Sequence, residues 1–188
     1  MRVRSMAYAI LLAVAALAVT TPAVAQTAPA LREPDVIFVP TPAATVDAML
    51  KLVGVTAKDV VYDLGCGDGM IVTAAAKDFG ARAVGIDINP VRVKEANERV
   101  TKAGVADKVT IKNEDLFTAN ISEATVVTLY LLQSLNEKLI PKLNKELKPG
   151  TRIVSQTFSM GEKYPAEKTT EAGGHTIYMW TVPMKEKK

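Results

Sequence analysis

The chain has 188 residues, 48% of them hydrophobic and few aromatic, which suffices for one ordinary core, so a single folded domain is expected. Its 23 basic and 20 acidic residues leave a formal charge of +3, too slight to point to a nucleic-acid partner. One cysteine and one histidine exclude an intramolecular disulfide and supply no ligand cluster for a metal.

The amino terminus carries Arg2 and Arg4, then an uncharged apolar run from Ala7 to Val19, then Ala23-Val24-Ala25. That is the tripartite order of a secretory signal, and residues 1–25 are read as one, with cleavage after Ala25 and an exported, periplasmic or secreted product. The alternative is a membrane anchor formed by an uncleaved segment, although the run is shorter than the ~20 residues of a spanning helix. Cleavage removes two of the basic residues and none of the acidic ones, leaving a net charge of +1 and no stable membrane span.

Residues 26–40 are proline-rich and aperiodic, an extended linker, and residues 41–188 form the single domain. Thr41-Pro42 reads as helix cap and first turn, with Val46, Met49, Leu50 and Val53 on one face and Gly54 as the stop. Val60 to Leu64 is a first strand, and Ile71, Ala75 and Phe79 stripe a helix that ends at Gly80. Arg82 to Ile88 is a second strand, and Asn89-Pro90 opens a helix with Val93, Ala96 and Val100 inward. A third strand covers Val109 to Asn113, and the apolar run Ala124 to Leu132 is a fourth, covered on both faces. Asn136 is the predicted cap of a helix with Leu139, Leu143 and Leu147 inward and Pro141 near its start. Thr151 to Phe158 is the fifth strand. The stretch Ser159 to Gly174 is polar, turn-rich and too short for a helical crossover, so Thr176 to Pro183 is expected to return antiparallel beside the fifth strand. The fold class is α/β: a doubly wound, mostly parallel sheet with an antiparallel C-terminal strand.

The chain is organised around DVVYDLGCGDGM, Asp59 to Met70. A buried strand reaches Asp63 and breaks into Gly65, Gly67 and Gly69, which lets the backbone approach a ligand closely at the start of a helix. Asp87, at the end of the next apolar run and about 20 residues on, has the spacing of a ribose-binding acid. Cys66, inside the loop, is read as a small packing residue rather than a reactive thiol. A nicotinamide site would want its third glycine one residue later than Gly69.

DLGCGDG with Asp63, GIDINP with Asp87, NEDLF with Asp115 and VVTLYLL with Tyr130 resemble the successive motifs of class I S-adenosylmethionine-dependent methyltransferases. Together with VPTP from Val39, LKPGTRIVS and GGHTIYMWTVP, the likeness extends over nearly the whole mature chain. In this longer form it resembles the ATP synthase c-subunit lysine methyltransferase family and its bacterial relatives. The chain departs from those relatives at Met70, where arginine is usual, at Gln133, where proline is usual, and at Gln156, where histidine is usual.

The resemblance implies a Rossmann-like methyltransferase fold, S-adenosylmethionine as cofactor, and N-methylation of an amine such as a protein lysine. Asp63 and the loop amides around Gly65 and Gly67 would hold the methionine end, with Gly69 completing the cofactor loop, Asp87 the ribose hydroxyls, and Asp115 the adenine amino group between Ile88 and Leu116. Thr128 and Tyr130, at the end of the fourth strand, are the candidate catalytic residues that orient the acceptor, a protein or small-molecule amine. Thr41 would face the methionine moiety. Each has a plainer reading beside it: helix capping for Asp115 and Thr41, an aromatic lid on the core for Tyr130. His175, a conceivable base for a protonated amine, follows a Gly-Gly turn and is read as an edge-strand residue. No NPPY-type motif follows the fourth strand, which counts against base methylation of nucleic acid. The competing function is a non-catalytic exported binding protein that keeps the fold.

Overall fold

The computed structural model describes residues 31–187; the predicted leader and the first residues of the linker lie outside them. In chain order the elements are α1 (Ala43–Leu52), β1 (Val60–Leu64), α2 (Met70–Phe79), β2 (Arg82–Asp87), α3 (Pro90–Lys102), β3 (Val109–Asn113), β4 (Val126–Leu129), α4 (Gln133–Glu146), β5 (Arg152–Gln156), β6 (Lys168–Ala172) and β7 (His175–Thr181). The seven strands form one sheet in the order β3-β2-β1-β4-β5-β7-β6. Strands β1 to β5 run parallel, and β7 runs antiparallel to both β5 and β6. Winding goes outward from β1 to β3 and then restarts at β4 on the other side of β1. The two halves therefore part above the carboxyl ends of β1 and β4, where a doubly wound sheet opens a crevice.

Strand alternation builds a core on each face. Val61, Val126, Val154 and Ile177 point toward Met49 and Leu50 of α1 and Val72 and Ala75 of α2. Tyr62, Leu64, Val127, Leu129 and Ile153 point the other way, toward Leu139 and Leu143 of α4 and toward Trp180. All four residues of β4 are buried, as expected of a strand covered on both sides. Helix α3 is capped as its sequence predicts, the Asn89 side chain accepting from the Val91 amide ahead of Pro90.

Several expectations are corrected. Thr41 caps nothing: α1 starts at Ala43 after Pro42 and has no side-chain cap. Helix α4 starts at Gln133, three residues before Asn136. Asn136 is instead fully buried in its first turn, and its side-chain nitrogen donates to Ser155 Oγ (3.1 Å) and to the Phe158 carbonyl (3.0 Å), ties that pull the helix one turn earlier. Pro141 consequently falls inside the helix, where it leaves the Glu137 carbonyl without its helical donor. Strand β4 spans only four residues of the apolar run, because Leu131 turns under into the second core. The polar stretch 159–174 holds a further strand, β6, which pairs with β7 across Gly173-Gly174. Its exposed residues Lys168 to Glu171 carry no apolar face for periodicity to reveal. As a result β6 is the sheet edge, and His175 opens an internal strand rather than an edge strand.

Candidate active site

At the carboxyl edge of β1 the chain turns through Gly65, Gly67 and Gly69, all at positive φ. Two of these positions show what the missing side chains permit. A Cβ on Gly67 would stand 2.4 Å from the Phe38 ring, and one on Gly69 would stand 2.9 Å from Ala96 Cβ of α3. Gly67 thus lets an aromatic from the amino-terminal strap lie across the loop, and Gly69 brings α2 and α3 together. Cys66 packs against Gly85 of β2, where a Cβ would meet its sulfur at 2.8 Å. Burial, then the charges of Asp63 and Asp87, push the Cys66 thiol well above its ordinary pKa, so it stays protonated and serves as packing.

The loop borders a cleft at the switch point of the sheet, walled by the strap, the acids and Leu116, where a doubly wound fold places its ligand. Asp63, Gly65, Gly67, Asp87, Ile88, Asp115, Leu116, Thr41 and Tyr130 all line it. Two predicted residues do not. Gly69 faces α3, and Thr128, with no exposed surface, lies beneath the floor rather than on the rim. Its side chain follows β4 inward, and its hydroxyl donates to Asp63 Oδ1 at 2.7 Å, so Thr128 positions an acid instead of touching an acceptor.

The carboxylates differ in kind. Asp63 is 2% exposed; burial lifts its pKa to about 7, the Thr128 hydrogen bond opposing the lift and the charges of Asp87 and Asp68 adding to it. Asp87 accepts from the Gly67 amide (2.8 Å) and the Asn89 amide (2.9 Å), yet burial still holds its pKa above the usual carboxylate value. A cluster of acids whose negative charge is this poorly relieved favours a cationic guest. Asp115 behaves oppositely: burial raises its pKa, but Arg32 and the Phe117 amide outweigh burial and keep it low. Arg32 Nε donates to Asp115 Oδ2 at 2.6 Å and Nη2 to Oδ1 at 3.2 Å. Asp115 shapes a turn through Phe117 and caps no helix, because β3 and β4 are joined without one.

The strap from Arg32 to Val39 is the part of the site that its linker-like composition concealed. It lines one side of the cleft, with Phe38 held between the Gly67 loop and the Arg92 guanidinium, 4.6 Å from the ring centroid. The apolar run Val36 to Val39, unusual in a linker, is the signal that could have revealed it.

A glycine cradle at the switch point of a doubly wound sheet, a buried acid before it and a second acid closing the following strand define an S-adenosylmethionine-dependent methyltransferase of class I. Residues 63–167 match the ANTKMT methyltransferase domain, and the chain belongs to that family. It is 47% identical over 153 residues to a protein-lysine N-methyltransferase of Saccharolobus islandicus, spanning 79% of this chain and 95% of that protein. It is 32% identical over 163 residues to the ATP synthase c-subunit lysine N-methyltransferase of Rattus norvegicus, spanning 87% of this chain and 73% of that one. Among solved structures, an RNA methyltransferase from Salinibacter ruber in complex with S-adenosyl-L-homocysteine superposes with a TM-score of 0.75 at 53% identity, covering 77% of this chain and 94% of that chain.

The residues present fit this cofactor through their carboxylates rather than through the loop amides as expected, because the Gly65, Gly67 and Gly69 amides already donate to the Ile86 carbonyl, Asp87 Oδ2 and the Cys66 carbonyl. Its ammonium and sulfonium groups answer the buried carboxylate of Asp63, whereas Asp68 is already paired with Arg99, and its ribose hydroxyls find Asp87 at the end of β2. Ile88 and Leu116 line the part of the cleft suited to an apolar ring.

Proposed function

We propose that the chain methylates the side-chain amino group of protein lysine. The observation that carries this reading is the 47% identity to a protein-lysine N-methyltransferase extending over 95% of that relative, which includes the part of the fold beyond the cofactor cradle. When bound, S-adenosylmethionine supplies a methyl group on a positively charged sulfur that reacts by in-line displacement. The chain's own task is then alignment and exclusion of water. Asp63, kept in place by Thr128, anchors one end of the cofactor, and Asp87 fixes the other side of the loop. Tyr130, at the lip where β4 leaves the sheet, borders both the cleft and the strands beyond it, and so stands where an acceptor would approach.

Export is part of the proposal, supported by Arg2, Arg4, the apolar run and Ala23-Val24-Ala25. Among the described residues no helix is long and apolar enough to cross a membrane. The name of the Salinibacter ruber structure favours a second reading, an RNA acceptor; a mature net charge near zero speaks against it. Mature protein incubated with methyl-labelled S-adenosylmethionine and, in parallel, with envelope proteins and total RNA tests both. Label on lysine, located by peptide mass spectrometry, is the expected result; label in RNA alone overturns it. Mass spectrometry of the amino terminus of the purified protein is expected to begin at Gln26.

A further inference from the structure

Beyond the cofactor cleft, three strand ends meet on the same edge of the sheet. Tyr130 follows the last residue of β4, Phe158 lies two residues past β5, and His175 is the first residue of β7. Because β7 runs against β5, its beginning, not its end, arrives at this edge. The Phe158 and His175 rings lie 6.5 and 6.0 Å from the Tyr130 ring, the first nearly parallel to it (27°) and the second nearly upright (70°).

The backbone is bent to make this cluster. Thr157 has φ +65°, the only non-glycine residue at positive φ among the described residues, and the Phe158 amide donates back to the Gln156 carbonyl at 2.7 Å. An i to i+2 hydrogen bond around a β-branched residue in that region is a strained γ-turn. Such strain persists where surrounding structure over-determines it and gathers at functional sites. Here it turns Phe158 back toward Tyr130, while the Thr157 hydroxyl shares a hydrogen bond with His175 Nδ1 (2.9 Å) and fixes that ring.

The rings are also unclaimed. Three other accessible aromatics carry one of the protein's own cations, Arg92 over Phe38, Arg32 and Lys138 over Phe117, Lys163 over Tyr164, whereas the half-buried Phe79 and Tyr178 carry none but lie away from the cleft. Among the described residues no arginine or lysine lies over Tyr130 or Phe158. All three rings of the cluster are half-buried rather than sealed in the core. The Tyr130 and Phe158 rings, which a strained turn brings together and no internal cation covers, make an electron-rich wall attractive to an ammonium brought within about 6 Å of their centroids, with His175 standing edge-on beside them.

From this juxtaposition we infer that Tyr130, Phe158 and His175 form the acceptor subsite, which captures a lysine side chain as its ammonium and retains the methylated ammonium products. Between those states it faces the neutral amine, a proton having passed to solvent water, so that the new N–C bond can form as the sulfonium S–C bond breaks to leave S-adenosylhomocysteine. This inference rests on the lysine reading above and specifies how that substrate is held. Cation–π attraction survives methylation of the nitrogen, whereas hydrogen bonds from the ammonium are lost with each methyl. Tyr130 belongs to both cleft and wall, and so sets the acceptor against the cofactor.

The test uses the mature protein saturated with S-adenosylhomocysteine and two probes: Nα-acetyl-Nζ-trimethyl-lysine N-methylamide, and its neutral isostere with a tert-butyl carbon in place of the trimethylammonium. Calorimetry should show the charged probe binding roughly three- to thirtyfold more tightly than the neutral one. Phe158→Leu, which keeps apolar bulk but removes the π face, should reduce that preference to under about twofold and raise the KM for unmethylated lysine probe, with affinity for S-adenosylhomocysteine unchanged. Equal binding of the two probes by the wild-type protein, binding of neither, or a charge preference intact in Phe158→Leu, overturns the subsite. If lysine is methylated while Phe158→Leu leaves KM unchanged, the subsite fails and the lysine reading stands; if cofactor binds and no lysine is methylated, both fail.

Discussion

Asp59 and Asp63 lie four residues apart in one run of chain, at opposite ends of β1, and their environments are opposed. At the amino end Asp59 accepts from the Thr56 amide (2.8 Å), the Thr56 hydroxyl (3.0 Å) and the Thr125 hydroxyl (2.7 Å), and pairs with Arg152. Burial raises its pKa, but these partners outweigh burial and leave it below the ordinary value. Arg152 also donates to the Gly54 carbonyl at 3.0 Å, so one ion pair ties α1, β1, β4 and β5 together. At the carboxyl end Asp63 has Thr128 as its single side-chain donor and is pushed up to about 7. The same residue type is satisfied where the sheet is fastened and left wanting where a ligand enters. A doubly wound fold separates these tasks because strand starts are closed by preceding helices, whereas strand ends open at the switch point.

The contrast can be broken from either side. Asp59→Ala is expected to cost the most: it strands a half-buried guanidinium and three donors, losing about 3 kcal/mol in denaturant titration, while methyl transfer per folded molecule stays unchanged. Asp63→Asn should do the reverse. It should bind S-adenosylhomocysteine about 30- to 100-fold more weakly through loss of a charge-assisted anchor, with stability equal to or above that of the wild type. Equal stability losses in the two variants would dissolve the distinction.

Acidity sharpens the same point. Asp63 has a folded pKa of about 7 against an ordinary aspartate value of 3.8, so between those values the folded protein binds the extra proton. Its contribution to stability therefore grows as pH falls from 7 toward 4 and is lost as pH rises through 7. The ammonium group of S-adenosylhomocysteine selects the carboxylate, so affinity for this zwitterion should drop as pH falls below 7, at most about tenfold per unit, and Asp63→Asn should flatten the profile. Asp59 and Asp115, whose pKa values are lowered, add stability above the unfolded carboxylate range that disappears in stronger acid.

The smallest expected effect concerns the strap. Arg32 holds the carboxylate that an adenine amino group would approach, so Arg32→Ala should raise S-adenosylhomocysteine affinity by about threefold or less, the scale of an accessible ion pair. A fall in affinity would show that Arg32 supports the site rather than competing for it.

How far the sequence could be read follows from the range over which each feature is determined. The glycine loop, Asp87 and the Asn89-Pro90 cap are local: a few neighbouring residues decide their geometry, and each sits where its spacing placed it. Strand β6 and the start of α4 escaped because distant partners decide them, β7 for the first and Ser155 and Phe158 for Asn136. Thr128 was identified by strand position alone, yet alternation between faces turned its side chain under the pocket floor.

By itself the sequence determined the mostly parallel α/β sheet, the cofactor cradle and the acids around it, because periodicity and short-range turn chemistry encode them directly. Only the tertiary structure decided that a proline-rich strap walls the cleft, that His175 lies inside the sheet, and that a strained turn gathers three aromatic rings beside Tyr130. Those arrangements depend on which strand ends meet at one edge, and chain separations of tens of residues carry no pattern from which such meetings can be read.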